Sequence, residues 1–280
     1  MMEQHNLIKE TALFLGNGTE KIYCVEYLPS EELNLNHGVI LCRSIWGVRN
    51  RAHRIFTNLA RELAGKGYSV ITCDYYGDGN SQGRSQDMAF DVMIDNLVMI
   101  HDYLLKKCNI ESLSVIGFRI GANCAAELVK RIGTVNKIIL IEPELNLIDY
   151  LKKKLRSNLS TQMATYKEIR KNREALIQDI KNNIPVNIDG VMLGKSLYES
   201  FERSVGFSEI GSDYQSVLIL CLVENGKTPV GHKKIESISK NISRCTVEMI
   251  DKEFYWHDWK SNTPFAPLLF QKVFSYLISK

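Results

Sequence analysis

The stretch that decides the fold is SLSVIGFRIGANCAAELVKR, residues 112–131. An apolar run typical of a buried strand stands before Gly117, and a helical pattern follows Gly121. Glycines at both ends of a strand-to-helix connection permit a sharp turn and close packing of the helix on the strand. The middle residue of this turn is Arg119, and we expect it to project over the strand ends, at a helix N-terminus where negative charge is stabilised.

The rest of the chain repeats this alternation of strands and helices. Gly16-Asn17-Gly18 is a turn signal between two strand-like segments and predicts an opening β-hairpin. The patterns further along predict strands at 37–42, 68–74, 112–116 and 137–141 and helices at 51–66, 88–107 and 120–132. Strands that alternate with helices at this spacing predict parallel β-α-β units, and hence an α/β sheet covered on both faces.

The alternation stops between residues 145 and 213, where the sequence is polar, helical in pattern and apparently free of strands. It resumes with strands at 216–224 and 245–250 and a final amphipathic helix. We therefore predict a core in two parts, 1–144 and 214–280, interrupted by a helical lid at 145–213. The basic run in the lid is more typical of a solvated helix face than of a binding patch.

Composition narrows the function classes. The chain has 280 residues, 45% hydrophobic and 24% charged, with a formal net charge of +3, which fits a globular protein and disfavours a nucleic-acid partner. Seven scattered cysteines without metal-ligand spacing indicate reduced thiols in a cytoplasmic protein. We expect no membrane span, no metal and no cofactor, while a homodimer stays open.

Three motifs carry a family resemblance. The first is Asp74-x-x-Gly77-x-Gly79-x-Ser81, the second is IGFRIGA, and the third is IEPELNLIDYLKKKLR, which begins at Ile141. With these motifs the chain resembles the α/β-hydrolases over nearly its whole length apart from the lid. More narrowly, it is similar to the hydrolase-like proteins associated with exosortase gene systems. The resemblance implies an α/β-hydrolase fold in which the glycine-framed turn is the nucleophile elbow.

The resemblance also implies a Ser–acid–His triad, from which the sequence departs. Arg119 stands at the nucleophile position, and a guanidinium that stays protonated cannot act as a nucleophile. Thr228 stands where the acid is expected, although Glu224 is close by in the sequence. His257 follows the last strand, where the family histidine is expected, yet the surrounding aromatic residues leave open whether it is catalytic or a neighbour of the site.

The rim of the site is also unusual, because CRSIWG replaces the oxyanion loop that is often His-Gly in this family. The aromatic residues around the site could form a pocket wall or belong to the core. Asp74 could serve mainly to accept hydrogen bonds from turn amides. The candidate catalytic residues are Arg119, His257 and Glu224. The candidate ligand-binding residues are Ser44, Trp46, Phe118, Ile120, Asp74 and Trp256.

Three functions remain open at this point. The first is a pseudo-hydrolase that binds a small anionic or acyl ligand, with Arg119 as an anion clamp. The second is a serine-independent esterase, thioesterase or acyltransferase-like enzyme that uses His257 and Arg119. The third is a purely structural partner. For Arg119 itself, the alternative to an anion clamp is a structural salt bridge with a lid carboxylate. The sequence does not decide whether the protein is an enzyme, and it favours ester or thioester substrates if it is one.

Overall fold

The computed structural model describes residues 8–224, 226–229, 231–253 and 265–279. Within these residues, eight strands form one sheet and two short strands form a separate hairpin. The strands are β1 (Ile8–Leu15), β2 (Ile22–Pro29), β3 (His37–Cys42), β4 (Tyr68–Cys73), β5 (Ser112–Phe118), β6 (Val135–Ile141), β7 (Val186–Ile188), β8 (Val191–Leu193), β9 (Tyr214–Val223) and β10 (Cys245–Asp251).

The large sheet runs β1-β2-β4-β3-β5-β6-β9-β10. From β4 to β10 every neighbouring pair is parallel, whereas the opening hairpin β1–β2 is antiparallel and joins β4 antiparallel. This mostly parallel sheet flanked by helices is the α/β-hydrolase fold, which confirms the predicted fold class. The order also brings the carboxyl ends of β3, β4, β5, β6 and β9 to one edge, where ligands bind in open α/β sheets.

Helices cover both faces of the sheet. They are α1 (Trp46–Gly65), α2 (Phe90–Cys108), α3 (Ile120–Ile132), α4 (Leu147–Tyr166), α5 (Arg173–Lys181), α6 (Lys195–Arg203), α7 (His232–Ser239) and α8 (Pro267–Ile278). Apolar residues of α1 and α8 share one buried cluster with the sheet, and those of α2 and α3 share the cluster on the other face. Both faces of the central strands are therefore buried, as their continuous apolar runs predict.

The two glycines of the β5–α3 turn are required by close packing. A Cβ atom on Gly117 would stand 2.4 Å from the carbonyl oxygen of Gly121, and one on Gly121 would stand 2.2 Å from the carbonyl oxygen of Cys42. A side chain at either position would therefore push α3 away from the sheet. The glycine frame thus fixes where α3 begins and where the side chain between the glycines points.

The segment after β6 contains α4, α5 and α6, but the expectation that it is free of strands is wrong. Strands β7 and β8 pair antiparallel around Asp189 (φ 51°) and Gly190 (φ 87°). Positive φ at both central residues, with an Asp-Gly sequence, is typical of a two-residue hairpin turn. The strands have three residues each, which is too short for the alternation of apolar and polar residues to stand out in the sequence.

Candidate functional site at the β5–α3 turn

Arg119 lies at the apex of the β5–α3 turn in a strained backbone conformation, with φ 55° and ψ −122°. A non-glycine residue adopts such a conformation when the surrounding structure holds it there. Here the Arg119 N–H donates to the carbonyl oxygen of Ile141 (2.9 Å), and the Arg119 carbonyl accepts from the N–H of Ala122 (2.9 Å). The neighbouring strand and the first turn of α3 thus hold the apex residue.

Two carboxylates from the end of β6 bind the Arg119 guanidinium. Its Nη1 lies 3.3 Å from Glu142 Oε2, and its Nη2 contacts Glu144 Oε1. Glu142 is itself fixed, because it has a positive φ of 51° and its Oε1 accepts from the backbone N–H of Leu222 (2.7 Å). The arginine side chain is therefore part of an ion-pair network that links β5, β6 and β9.

Glu144 is held by the first turn of α3. The Asn123 side-chain amide donates to the Glu144 carbonyl oxygen (2.8 Å) and accepts from the Glu144 N–H (3.1 Å). Burial raises the pKa of the Glu144 carboxyl, and the charge of Arg119 offsets part of that rise. Sequence reasoning missed both glutamates, although they follow the buried strand 137–141 directly, next to the strand that carries the turn.

The predicted pocket residues on either side of Arg119 are both core residues in the structure. Phe118 is 1% exposed and packs against Phe56 of α1, with ring centroids 4.8 Å apart. Ile120 is fully buried in the cluster on the opposite face of the sheet. The structure thus places these two side chains on opposite faces and leaves Arg119 between them at the sheet edge.

Asp74 lies at the carboxyl end of β4 and closes its own turn. Its carboxylate lies 2.8 Å from Nη1 of Arg49 and 3.4 Å from Nη1 of Arg43, and it accepts from the N–H of Asn80 (2.9 Å). The Ser81 hydroxyl donates to the Asp74 carbonyl oxygen (2.5 Å). Accepting a turn amide is the role that the sequence suggested, whereas the two arginine partners are additional.

Ser44 and Trp46 lie after β3, beside the start of α3. Both side chains are buried, and Ser44 Oγ and Trp46 Nε1 are polar atoms without a hydrogen-bond partner in the described part of the chain. Trp46 is the first residue of α1 and has a positive φ of 56°. The helix therefore begins five residues before its predicted start at 51, because the Trp46 ring packs into the core.

The other predicted catalytic residues do not join Arg119 among the described contacts. Glu224 lies at the end of β9, two strands away from β5, and its carboxylate pairs with Lys252 (3.1 Å). The acidic partners of Arg119 are instead the glutamates at the end of β6. His257 and Trp256 lie outside the described residues.

Cysteines near the turn are not activated. Cys42 and Cys124 are fully buried, and burial raises the pKa of both thiols, that of Cys124 to about 12. Raised pKa values disfavour the thiolate that acts as nucleophile. The seven cysteines are all free in the structure, in agreement with the expected reduced thiols.

Two residues of α4 interact electrostatically with the charged groups of the turn and were missed by sequence reasoning. Tyr150 and Lys154 are one turn apart on α4, and the Lys154 ammonium lies 5.6 Å from the centre of the Tyr150 ring. The charges of Arg119 and Glu144 act on both side chains, because Glu144 raises and Arg119 lowers the pKa of each. Lys154 follows Lys152 and Lys153 in the sequence of α4. Only the different positions of these three lysines around the helix distinguish them.

Fold and turn together define the class of the protein as an α/β-hydrolase-fold protein. Within that class, the chain belongs to the family described as serine aminopeptidase, S33 (Hydrolase_4), which matches residues 47–188, about half of the chain. The match begins at α1 and ends after β7, so it includes the Asp74 turn and the β5–α3 turn.

Solved structures share the fold at low sequence identity. Est1E from Butyrivibrio proteoclasticus, solved with bound ferulic acid, is 14% identical with a TM-score of 0.66, and the match covers 95% of this chain and 98% of that chain. An esterase from Exiguobacterium antarcticum is 16% identical with a TM-score of 0.57, covering 96% and 100%. At this identity the likeness shows the fold alone.

A curated relative matches part of the chain. An uncharacterized protein of Rickettsia prowazekii (strain Madrid E) is 29% identical over 100 residues, which is 35% of this chain and 41% of that protein. This chain therefore covers about two fifths of the length of that relative.

The described residues also bear on metal binding and membrane insertion. They contain no group of three or more His, Cys, Asp or Glu side chains that could hold a metal ion. No helix among them is both long and apolar enough to cross a membrane.

Proposed function

We propose that this chain is a pseudo-hydrolase, which uses the α/β-hydrolase fold and its elbow to bind a small anionic or acyl ligand. The observation that carries the proposal is the apex of the β5–α3 turn, where Arg119 occupies the strained position and contacts the carboxylates of Glu142 and Glu144. An arginine engaged in this way supplies no nucleophile and no base.

The energetics of catalysis support this reading. Removing the nucleophile of a working triad costs about 10⁶ in turnover and leaves about 10³ to 10⁴ over the reaction in water. No substitute stands out near the apex in the described part of the chain. Ser44 Oγ is buried and no base bonds to it, and the raised pKa values of Cys42 and Cys124 disfavour their thiolates.

The test is a turnover assay with p-nitrophenyl acetate, p-nitrophenyl butyrate and short acyl thioesters. It compares the wild type with Arg119→Ser and His257→Ala, and an active serine esterase in the same plate serves as the positive control. The proposal predicts that the wild type does not exceed the rate of hydrolysis in buffer. Turnover that appears in Arg119→Ser and is absent from the wild type would show that the elbow is disabled at this one residue.

One result would overturn the proposal. If the wild type turns over an ester or thioester and His257→Ala abolishes that turnover, the chain is a serine-independent enzyme. A His257→Gln variant would then separate loss of a proton-transfer group from loss of side-chain volume.

A further inference from the structure

We propose that Tyr150 and Lys154 of the lid form a seat for the carboxylate of the ligand, so that α4 holds the anion and Arg119 does not. This inference rests on the proposed binding function and names its ligand class as a small acyl carboxylate. It comes from the side chains that lie around the elbow and from the state of their polar atoms.

Arg119 itself is poorly placed to bind an incoming anion. Its guanidinium contacts Glu142 Oε2 and Glu144 Oε1. The Glu142 carboxylate is fixed further by the backbone N–H of Leu222, and the backbone of Glu144 is fixed by the side chain of Asn123. A ligand carboxylate would have to displace a carboxylate that the fold already holds, so the anion must find its donors elsewhere.

Tyr150 supplies the first donor. Its side chain is 6% exposed, and its hydroxyl is a buried polar atom without a hydrogen-bond partner in the described structure. An unpaired buried hydroxyl costs free energy, which a ligand oxygen would recover. Burial and the charge of Glu144 raise the pKa of this phenol, so it stays protonated and acts as a donor.

Lys154 supplies the second donor and a charge. It lies four residues after Tyr150, so both side chains point to the same side of α4. Its side chain is partly buried, and burial lowers the pKa of its ammonium. In the described part of the chain no carboxylate lies within 4.0 Å of its Nζ. A bound carboxylate would give this ammonium the counter-ion that nearby protein groups do not provide.

Charges of both signs act on Tyr150, Lys154 and Glu144. The cations are Arg51, Arg119, Lys153 and Lys154, and the anions are Glu142, Glu144 and Asp189. Asp189 is engaged by the Ser157 hydroxyl.

The experiment compares hexanoate with hexanamide, which share a chain and differ in charge, by ligand-observed NMR titration of the full chain. We expect saturable binding of hexanoate and binding of hexanamide at least about tenfold weaker. Lys154→Met should weaken hexanoate about tenfold, and Tyr150→Phe should weaken it severalfold. Lys152→Met is the matched control, because it removes the same charge from the opposite side of α4 and should leave affinity unchanged.

Stability separates binding from structure in these variants. Because Tyr150→Phe removes an unpaired buried hydroxyl, the thermal midpoint of the free protein should stay the same or rise. The inference is overturned if hexanamide binds as tightly as hexanoate or if Lys154→Met retains wild-type affinity. It is also overturned if hexanoate shows no saturable binding up to roughly 20 mM, which is the weakest affinity of interest. Ester turnover by the wild type would instead refute the proposed function, so the two failures are distinguishable.

Discussion

Two turns at the same edge of the sheet, the Asp74 turn after β4 and the Arg119 turn after β5, solve a similar problem in different ways. Both pair buried carboxylates with arginine at the end of a parallel strand. In the Asp74 turn the carboxylate belongs to the turn itself. It accepts a hydrogen bond from the Asn80 N–H and pairs with two arginines of the β3–α1 region. In the Arg119 turn the arginine is at the apex, and its carboxylates come from another strand.

The two turns also differ in the partners that their charged groups have. Around Asp74, the Asn80 N–H and two arginines bind the carboxylate, and the Ser81 hydroxyl donates to the Asp74 carbonyl oxygen. Buried polar atoms without a hydrogen-bond partner among the described residues occur in both regions: the Tyr150 hydroxyl on α4, and Arg49 Nε and Asp78 Oδ2 beside Asp74. Buried polar atoms are normally paired, and under the proposed function the ligand or a water molecule would complete the Tyr150 hydroxyl.

The largest expected effect is steric and tests whether the Arg119 turn tolerates any change in packing. A Cβ on Gly121 would stand 2.2 Å from the Cys42 carbonyl oxygen, so Gly121→Ala should reduce the free energy of unfolding by at least about 4 kcal/mol or prevent folding. Urea denaturation of the purified variant measures this.

Gly65→Ala is the matched control, because nothing lies within 4 Å of a Cβ built on Gly65, which lies in α1. This variant should be neutral or slightly stabilising. Equal stability of the two alanine variants would contradict the packing described at the elbow.

The second prediction compares the two carboxylates directly. Asp74→Asn leaves Arg43 and Arg49 buried with less negative charge, so it should cost about 3 kcal/mol of unfolding free energy. Glu142→Gln should cost about 1 kcal/mol, because Glu144 still contacts Arg119. Denaturant titrations at pH 7 give both values. If the Glu142 variant loses more than the Asp74 variant, the elbow network carries more of the stability than the Asp74 turn does.

The two turns also differ in how much of their structure the sequence could predict. The Asp74 turn and the glycine frame of the elbow are local patterns, and both stand in the structure as the motifs indicate. The partners of Arg119 are not local, because Glu142 and Glu144 reach it through the pairing of β5 with β6. A motif at one strand end does not say which side chains the neighbouring strand brings beside it.

The segment between β6 and β9 shows a second limit of the sequence. The hairpin β7–β8 carries an Asp-Gly turn signal, Asp189-Gly190, but the three-residue strands give no periodic pattern long enough to read. The pocket interpretation of Phe118 and Ile120 was decided by tertiary packing, which places their side chains in clusters on opposite faces of the sheet. The sequence at the end of a strand does not show which side chains point away from the core.

The smallest expected effect is a pH dependence that belongs to the elbow. Burial raises the pKa of Glu144 above its ordinary value of 4.5, so the folded protein holds a proton there at pH values where the unfolded chain has lost it. This contribution to stability is fully present below pH 4.5 and is lost as the pH rises through the folded-state pKa. Glu144→Gln has no such loss. Its stability relative to the wild type should therefore increase from pH 4.5 to pH 7, by about 1 kcal/mol or less.

The difference in stability between Glu144→Gln and the wild type is also free of the titration of a second group, His37, at the other end of the sheet. Burial lowers the pKa of His37 to about 4. Below pH 6.5 the unfolded chain therefore binds a proton at His37 that the folded protein does not bind, and the free energy of unfolding falls as the pH drops toward 4. That loss is common to both proteins and cancels in their difference. Chemical denaturation at pH 4.5, 5.5, 6.5 and 7 gives the difference directly. A decrease with rising pH would mean that the ion pair with Arg119 outweighs the cost of burying the Glu144 charge, and the elbow would then resemble the Asp74 turn.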